Sequence, residues 1–347
     1  MTHHHVAGNL IDLAWKSYHH GDSSSALQLA QEAYGAGEVD ASTASALGFF
    51  LLAAGEHEKA YPVLLPAARQ WPRHAVLQWH AGIVELHAGN NASGIELLRR
   101  ACTIDPNLHE AAFRLAWALH DAGNLDEAVY WASSALRAQQ SNSHYLLQTG
   151  WLLHRLGRHE EAINCYRQAI SSYPEGAQEL GELYHHLAEC QMLLGEKTAA
   201  LHTLEEGLAR FPGDSNLETL SAQIHWQSGN QKTAIDIARR LSAADTESVA
   251  NWYLLGAFLQ DSGDWQAADA CFAEVQKRDL SHFEALFRRA QIQARERRFV
   301  DAHWLLQQVQ NLRPQFEAAS HLMIQVLLEM QQATDARRLL VPRLRVD

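Results

Sequence analysis

Apolar and polar positions along the chain fall into short blocks, each about three helical turns long. In "HEAAFRLAWALHDAG" and "NLDEAVYWASSALRAQ" the apolar residues recur at three- and four-residue spacing, which gathers them on one face of a helix. A glycine interrupts the helix-forming run in "DAGNLDEA", where it costs roughly 0.5–1 kcal/mol relative to alanine. A positional reason is therefore required. Gly21, Gly55, Gly89, Gly123 and Gly157 stand 34 residues apart, and after one step of 38 Gly195, Gly229 and Gly263 resume the interval of 34. Arg297 and Gln331 hold the next two places.

Small residues keep time with this ruler. Five residues past it come Ala26, Ala60, Gly94, Ala128, Ala162, Ala200, Ala234, Ala268, Ala302 and Ala336. Seven residues before it come Ala14, Gly48, Gly82, Ala116, Gly150, Ala188, Ala222, Gly256 and Ala290, with Ile324 the exception. Each period thus reads as a helix hairpin with small side chains where the two helices cross and glycine at the turn. Pro72, Pro106, Pro174, Pro212 and Pro314 lie 17 residues after the ruler, where one hairpin ends and Pro can start the next helix.

The pattern resembles the tetratricopeptide repeat family. Its 34-residue unit carries a bulky residue at position 4, Leu at 7, Gly or Ala at 8, Gly at 15, Ala at 20, an aromatic at 24 and Pro at 32. The eighth unit has Trp252, Leu255, Gly256, Gly263, Ala268 and Phe272; the fifth has Gly150, Gly157, Ala162, Tyr166, Ala169 and Pro174. The resemblance implies an all-α fold, a right-handed superhelical solenoid of about nine hairpins plus a C-terminal capping unit. Residues 1–6 read as a tail and 7–347 as a single solenoid, with a four-residue insertion near 174–182 that would lengthen the first helix of unit six by about one turn.

In this family positions 2, 5, 6, 9, 12 and 13 of the first helices face a concave groove. That pattern selects Trp15 and Tyr18, Phe49, then Trp79, His80 and His87 in units one to three. It selects Phe113, Arg114, Trp117 and His120 in unit four, and Trp151, His154 and Arg155 in unit five. Further along stand His185, Trp226, Tyr253, Phe287, Arg288 and Arg295. Trp, Tyr and Arg are common anchors of protein interfaces, so these residues are expected to bind a peptide or protein segment. Trp79, Phe113, Trp117 and Trp151 should form a ladder. Trp71, Trp131, Trp265 and Trp304 fall at turns or on second helices and are expected to serve packing.

Charge and chemistry narrow the function. Formal net charge is −12; residues 1–280 carry −15 and residues 281–347 carry +3, with ten arginines and no lysine in that last stretch. A net-acidic body argues against nucleic acid. The cluster Arg288, Arg289, Arg295, Arg297 and Arg298 is either a solvated face or a dock for an acidic partner. No membrane span or signal peptide is expected. Cys102, Cys165, Cys190 and Cys271 form no C-x-x-C pair and read as reduced packing residues of a cytoplasmic protein.

No catalytic residue, metal or cofactor is expected. His120 and His154 share a position in adjacent units, but no zinc signature accompanies them. The Lys and Asn pair of chaperone-tail clamps is missing at positions 5 and 9, as is the asparagine ladder of the O-linked N-acetylglucosamine transferase at position 6. The chain is therefore expected to be a scaffold or adaptor, of bacterial type, gripping a partner through aromatics. The alternatives are a chaperone for secreted or assembled subunits and the docking half of a glycosyltransferase.

Overall fold

The computed structural model describes residues 2–36, 39–174 and 176–331. Every regular element among them is a helix. In chain order these are α1 (Thr2–His19), α2 (Ser23–Gly35), α3 (Ala41–Ala53), α4 (His57–Gln70), α5 (Ala75–His87), α6 (Asn91–Ile104), α7 (His109–Asp121), α8 (Leu125–Ala138), α9 (Ser143–Arg155) and α10 (His159–Ser172). There follow α11 (Glu179–Leu193), α12 (Lys197–Arg210), α13 (Ser215–Gln227), α14 (Gln231–Ala244), α15 (Val249–Ser262), α16 (Trp265–Arg278), α17 (Phe283–Arg295), α18 (Phe299–Leu312) and α19 (Glu317–Glu329). Helix α1 begins at Thr2, inside the stretch expected as a tail. The expected C-terminal cap, Ala336 included, lies outside the described residues.

Packing divides the chain into two compact units, Met1–Leu194 and Gly195–Asp347. Within the first, odd- and even-numbered helices pair as hairpins, and hairpins stack on their neighbours. First helices also touch one another directly (α1 with α3, α3 with α5, α5 with α7, α9 with α11). Second helices of that unit make no comparable contact among the described residues, so the first-helix side is the inner side of the stack.

The ruler glycines are all left-handed, with φ from +74° at Gly55 to +92° at Gly263. Arg297 (φ 62°) and Gln331 (φ 59°) adopt the same conformation without glycine's freedom. The turn geometry is thus imposed by the hairpin, and side chains there bear a cost of roughly 1–2 kcal/mol. Side-chain caps close many helix starts, for example Asp40 accepting from the Thr43 amide and Asp214 from the Leu217 amide.

The helix crossings show size compensation. Gly150 faces the Tyr166 ring and Gly256 the Phe272 ring, so a methyl at either glycine would come 2.7 and 2.8 Å from a ring carbon. At Ala116 and Ala222 the residue sixteen on is Ala132 or Ala238, whereas at Ala188 and Ala290 it is Leu204 or Leu306, all of them fully buried.

Two details of connection differ from expectation. The prolines do not begin helices; Pro72, Pro106, Pro212 and Pro314 occupy the second place of four-residue turns closed by bonds such as Asp214 N–H to Phe211 C=O (3.2 Å). The four-residue insertion is also shared: α11 has 15 residues against 13 in α9, and the connection before it spans 173–178 against the shorter 139–142. Left-handed Gly176 absorbs the extra turn.

Candidate functional site

The groove-register aromatics of the first unit are mostly half-buried, with one side of each ring in the stack. Trp15 packs on Phe49 and Phe50 (ring centroids 4.9 and 4.8 Å), and Tyr18 on Phe49 (5.3 Å). Trp117 on α7 stacks on Trp151 on α9 at 5.5 Å, with planes 30° apart. His120 sits edge-on to Trp151 (5.0 Å), and the Arg155 guanidinium lies 5.3 Å over the same ring. Phe113 joins from the other side, 6.5 Å from Trp117 and stacked on Tyr145 at 4.5 Å. Phe113, Trp117 and Trp151 thus form a continuous row of ring contacts from α7 to α9. Trp79 packs on His80 (4.7 Å), and its indole N–H is buried without a hydrogen-bond partner.

A cleft of about 240 Å³ opens beside the Trp pair. Ile83, Leu86 and His87 of α5, Asn91 of α6, and Arg114, Trp117, Ala118 and Asp121 of α7 line it. Arg114, Asp121 and His87 are exposed. The His87 ring stacks on His57 at 3.8 Å, and partial burial, then His57 and Arg114, lower its pKa. The cleft thus offers an apolar floor with a guanidinium and a carboxylate at its rim.

His80 is not a groove residue. Only 3% of it is exposed, under the Phe49 and Trp79 rings, and burial pushes its pKa down to about 4 against a raising backbone hydrogen bond at Ser45. Position 6 of that repeat faces groove-ward only if the preceding helix leaves room, and Phe49 fills it.

His154 departs from expectation in a different way. Its Nδ1 lies 2.8 Å from Cys190 Sγ on α11, while its Nε2 is 3.9 Å from the Glu189 carboxylate. Burial lowers its pKa, with Glu189 opposing. His159, the first residue of α10, and Cys190 gather with His154 so that one donor atom of each lies within 4.8 Å of the others. His185, His186 and Glu189 form a second such group along α11. His120 stands apart, 3.0 Å from Asp121. The sequence singled out neither His159 nor Cys190 for chemistry; an H-x4-H pair across the Gly157 turn was the available signal.

In the second unit the aromatics at these register positions are half-buried too, each against a ring neighbour. Trp226 lies flat on Phe258 (4.6 Å, planes 9° apart), Tyr253 fits between Phe272 and His282, and Phe287 meets Phe316. Arg288 donates to Gln260 Oε1 (3.4 Å), and Arg295 lies 4.2 Å over the Trp265 ring. The arginine cluster is tied down locally: Arg289 pairs with Asp269 (2.9 Å), Arg297 with Glu329 (3.7 Å) and Arg298 with Glu296. Trp71 and Trp265 pack against core as expected, and Trp131 donates to Glu127. Trp304 does not pack: it is 60% exposed on α18.

All four cysteines are unpaired, and burial raises each thiol, Cys102 and Cys190 to about 12. No helix among the described residues is long and apolar enough to cross a membrane.

Comparison with known proteins agrees with this architecture. Two tetratricopeptide repeat family profiles match, one over residues 153–224 and the other over 45–109, 108–143 and 253–309. Tetratricopeptide repeat protein 8 of Mus musculus is 26% identical over 145 residues, which are 42% of this chain and 27% of that protein. General transcription factor 3C polypeptide 3 of Homo sapiens is 21% identical over 188 residues, 53% of this chain and 21% of that protein. The chain thus spans about a quarter of the length of these relatives. Among solved structures, the C-terminal part of a TPR repeat-containing protein from Cytophaga hutchinsonii superposes with a TM-score of 0.56 at 14% identity, covering 71% of this chain and 99% of that one. With matches over most of its length, and a left-handed turn at every ruler position from Gly21 to Gln331, the chain belongs to the tetratricopeptide repeat family.

Proposed function

We propose that the chain is a protein-interaction scaffold or adaptor whose first-helix face, in the unit Met1–Leu194, grips an extended peptide or protein segment. The observation that carries this reading is the half-buried Trp117–Trp151 stack, with Trp117 in the wall of the cleft lined by His87, Arg114 and Asp121. Stacked indoles offer a rigid apolar surface with little side-chain entropy left to lose on binding. The arginine and the aspartate at the rim would fix the direction of a bound chain through polar contacts. Four unpaired cysteines suit a reducing compartment such as the cytoplasm.

Selection from a displayed peptide library tests this reading and needs no identified partner. Peptides enriched on the parent chain should share an aromatic or branched apolar anchor. They should lose binding to Trp117→Ala and Trp151→Ala but keep it for Tyr130→Ser, an exposed position on α8. Enriched peptides that bind all three variants equally would contradict the site.

A further inference from the structure

Three helices of the first unit deliver metal-type donors to one point. His154 closes α9, left-handed Gly157 (φ 82°) reverses the chain, and His159 opens α10. Cys190 comes from α11, which packs against both. One donor atom from each of the three lies within 4.8 Å of the others, and the closest pair, His154 Nδ1 and Cys190 Sγ, is 2.8 Å apart. Two ligands of a tetrahedral zinc ion, at roughly 2.0–2.3 Å from the metal, stand about 3.2–3.6 Å from each other. Small side-chain rotations bring the trio into that range.

The cluster has unmet bonding capacity. His159 Nδ1 is buried without a hydrogen-bond partner, a condition that ordinarily costs about 1–3 kcal/mol. The nearby Tyr166 hydroxyl, whose ring stacks on His186, is likewise buried and unpartnered. Glu189 faces the other nitrogen of His154 (3.9 Å) and accepts from His186 Nδ1 (3.5 Å). A carboxylate on that side would accept the Nε2–H of a metal-bound imidazole once side-chain rotation closes the gap from 3.9 Å.

We propose that His154, His159 and Cys190 bind a divalent transition-metal ion of the zinc class, with Glu189 orienting His154 and a water or partner group in the fourth position. Two imidazoles and a thiolate are donors of the softness that zinc and cobalt accept. Binding forms two metal–nitrogen bonds and one metal–sulfur bond, and the hydrated ion releases the water molecules that these donors displace. The Cys190 S–H bond breaks, its proton passes to the buffer, and no electrons are transferred. The ion would staple the turn of one hairpin to the next hairpin's first helix.

Titration of the reduced, metal-free full chain with Co2+ tests this directly. One equivalent should produce the near-ultraviolet thiolate-to-cobalt charge-transfer band and the intense visible bands of tetrahedral cobalt, and Zn2+ should bleach both. His3–His5 can bind cobalt but contribute no thiolate band, so they cannot imitate the result. Cys190→Ser should abolish the charge-transfer band, His159→Gln should weaken binding at least tenfold, and Cys102→Ser should change nothing. Absence of the band in the parent chain overturns the proposal, whatever the variants do. So does a band that survives Cys190→Ser, or an affinity indifferent to His159→Gln.

Discussion

The first-helix faces around α7–α9 and around α13–α17 occupy equivalent repeat positions and are similarly half-buried, but their aromatics meet different neighbours. At position 9 of units four and five, the half-buried Trp117 and Trp151 stack on each other, and Trp117 lines a cleft. In the second unit, Trp226 lies flat on core residue Phe258, and the arginines of α17 are engaged by Gln260, Asp269 and Trp265. Repeat position sets where a side chain starts. The residue on the neighbouring helix decides whether it ends as surface or core.

Substitutions should separate the two faces. The largest effect is expected for Trp226→Ala, which removes an indole stacked on core and should cost about 3 kcal/mol of folding free energy. A thermal melt showing parent-like stability would place Trp226 with the surface residues instead.

His80 makes the same point, because it sits in groove register yet is buried. The folded state holds it neutral down to about pH 4, whereas the unfolded chain takes up the proton near 6.5. Protons therefore bind preferentially to the unfolded state as pH falls between those values, and stability is lost across that window by about 3 kcal/mol. Denaturant midpoints between pH 7 and 4 should fall less steeply in His80→Leu than in the parent. Equal slopes would mean that His80 is solvated.

At the crossings, Gly150→Ala presses a methyl against the Tyr166 ring and should cost about 1–3 kcal/mol, measurable by denaturant unfolding. The smallest expected effect is a gain. Arg297→Gly relieves a left-handed non-glycine turn and should stabilise by about 1 kcal/mol, seen as a raised melting midpoint, whereas Gly157→Ala should do the reverse.

Much of this was legible from the spacing of small residues. Glycine and alanine at fixed intervals announce the hairpin because only small side chains fit the crossing and only left-handed backbone makes the turn. The ruler even reached Arg297 and Gln331, where composition alone gave no hint of a turn. Exposure was less legible. His80 is covered by Phe49 from the preceding repeat and Trp304 is left bare on α18, outcomes fixed by contacts that a position-by-position mapping does not contain. The His154, His159 and Cys190 cluster was hidden for a related reason: the H-x4-H pair is in the sequence, but Cys190 joins it only through the packing of α11.

The proposed grip on a partner stands or falls with Trp117 and Trp151 being surface anchors rather than core. Melting temperature and affinity for a library-selected peptide, measured side by side on Trp117→Ala and Trp151→Ala, decide between the two. Surface anchors should give melting close to the parent together with a binding loss of about 2 kcal/mol or more. Variants that melt far below the parent, or that bind as the parent does, would contradict that role.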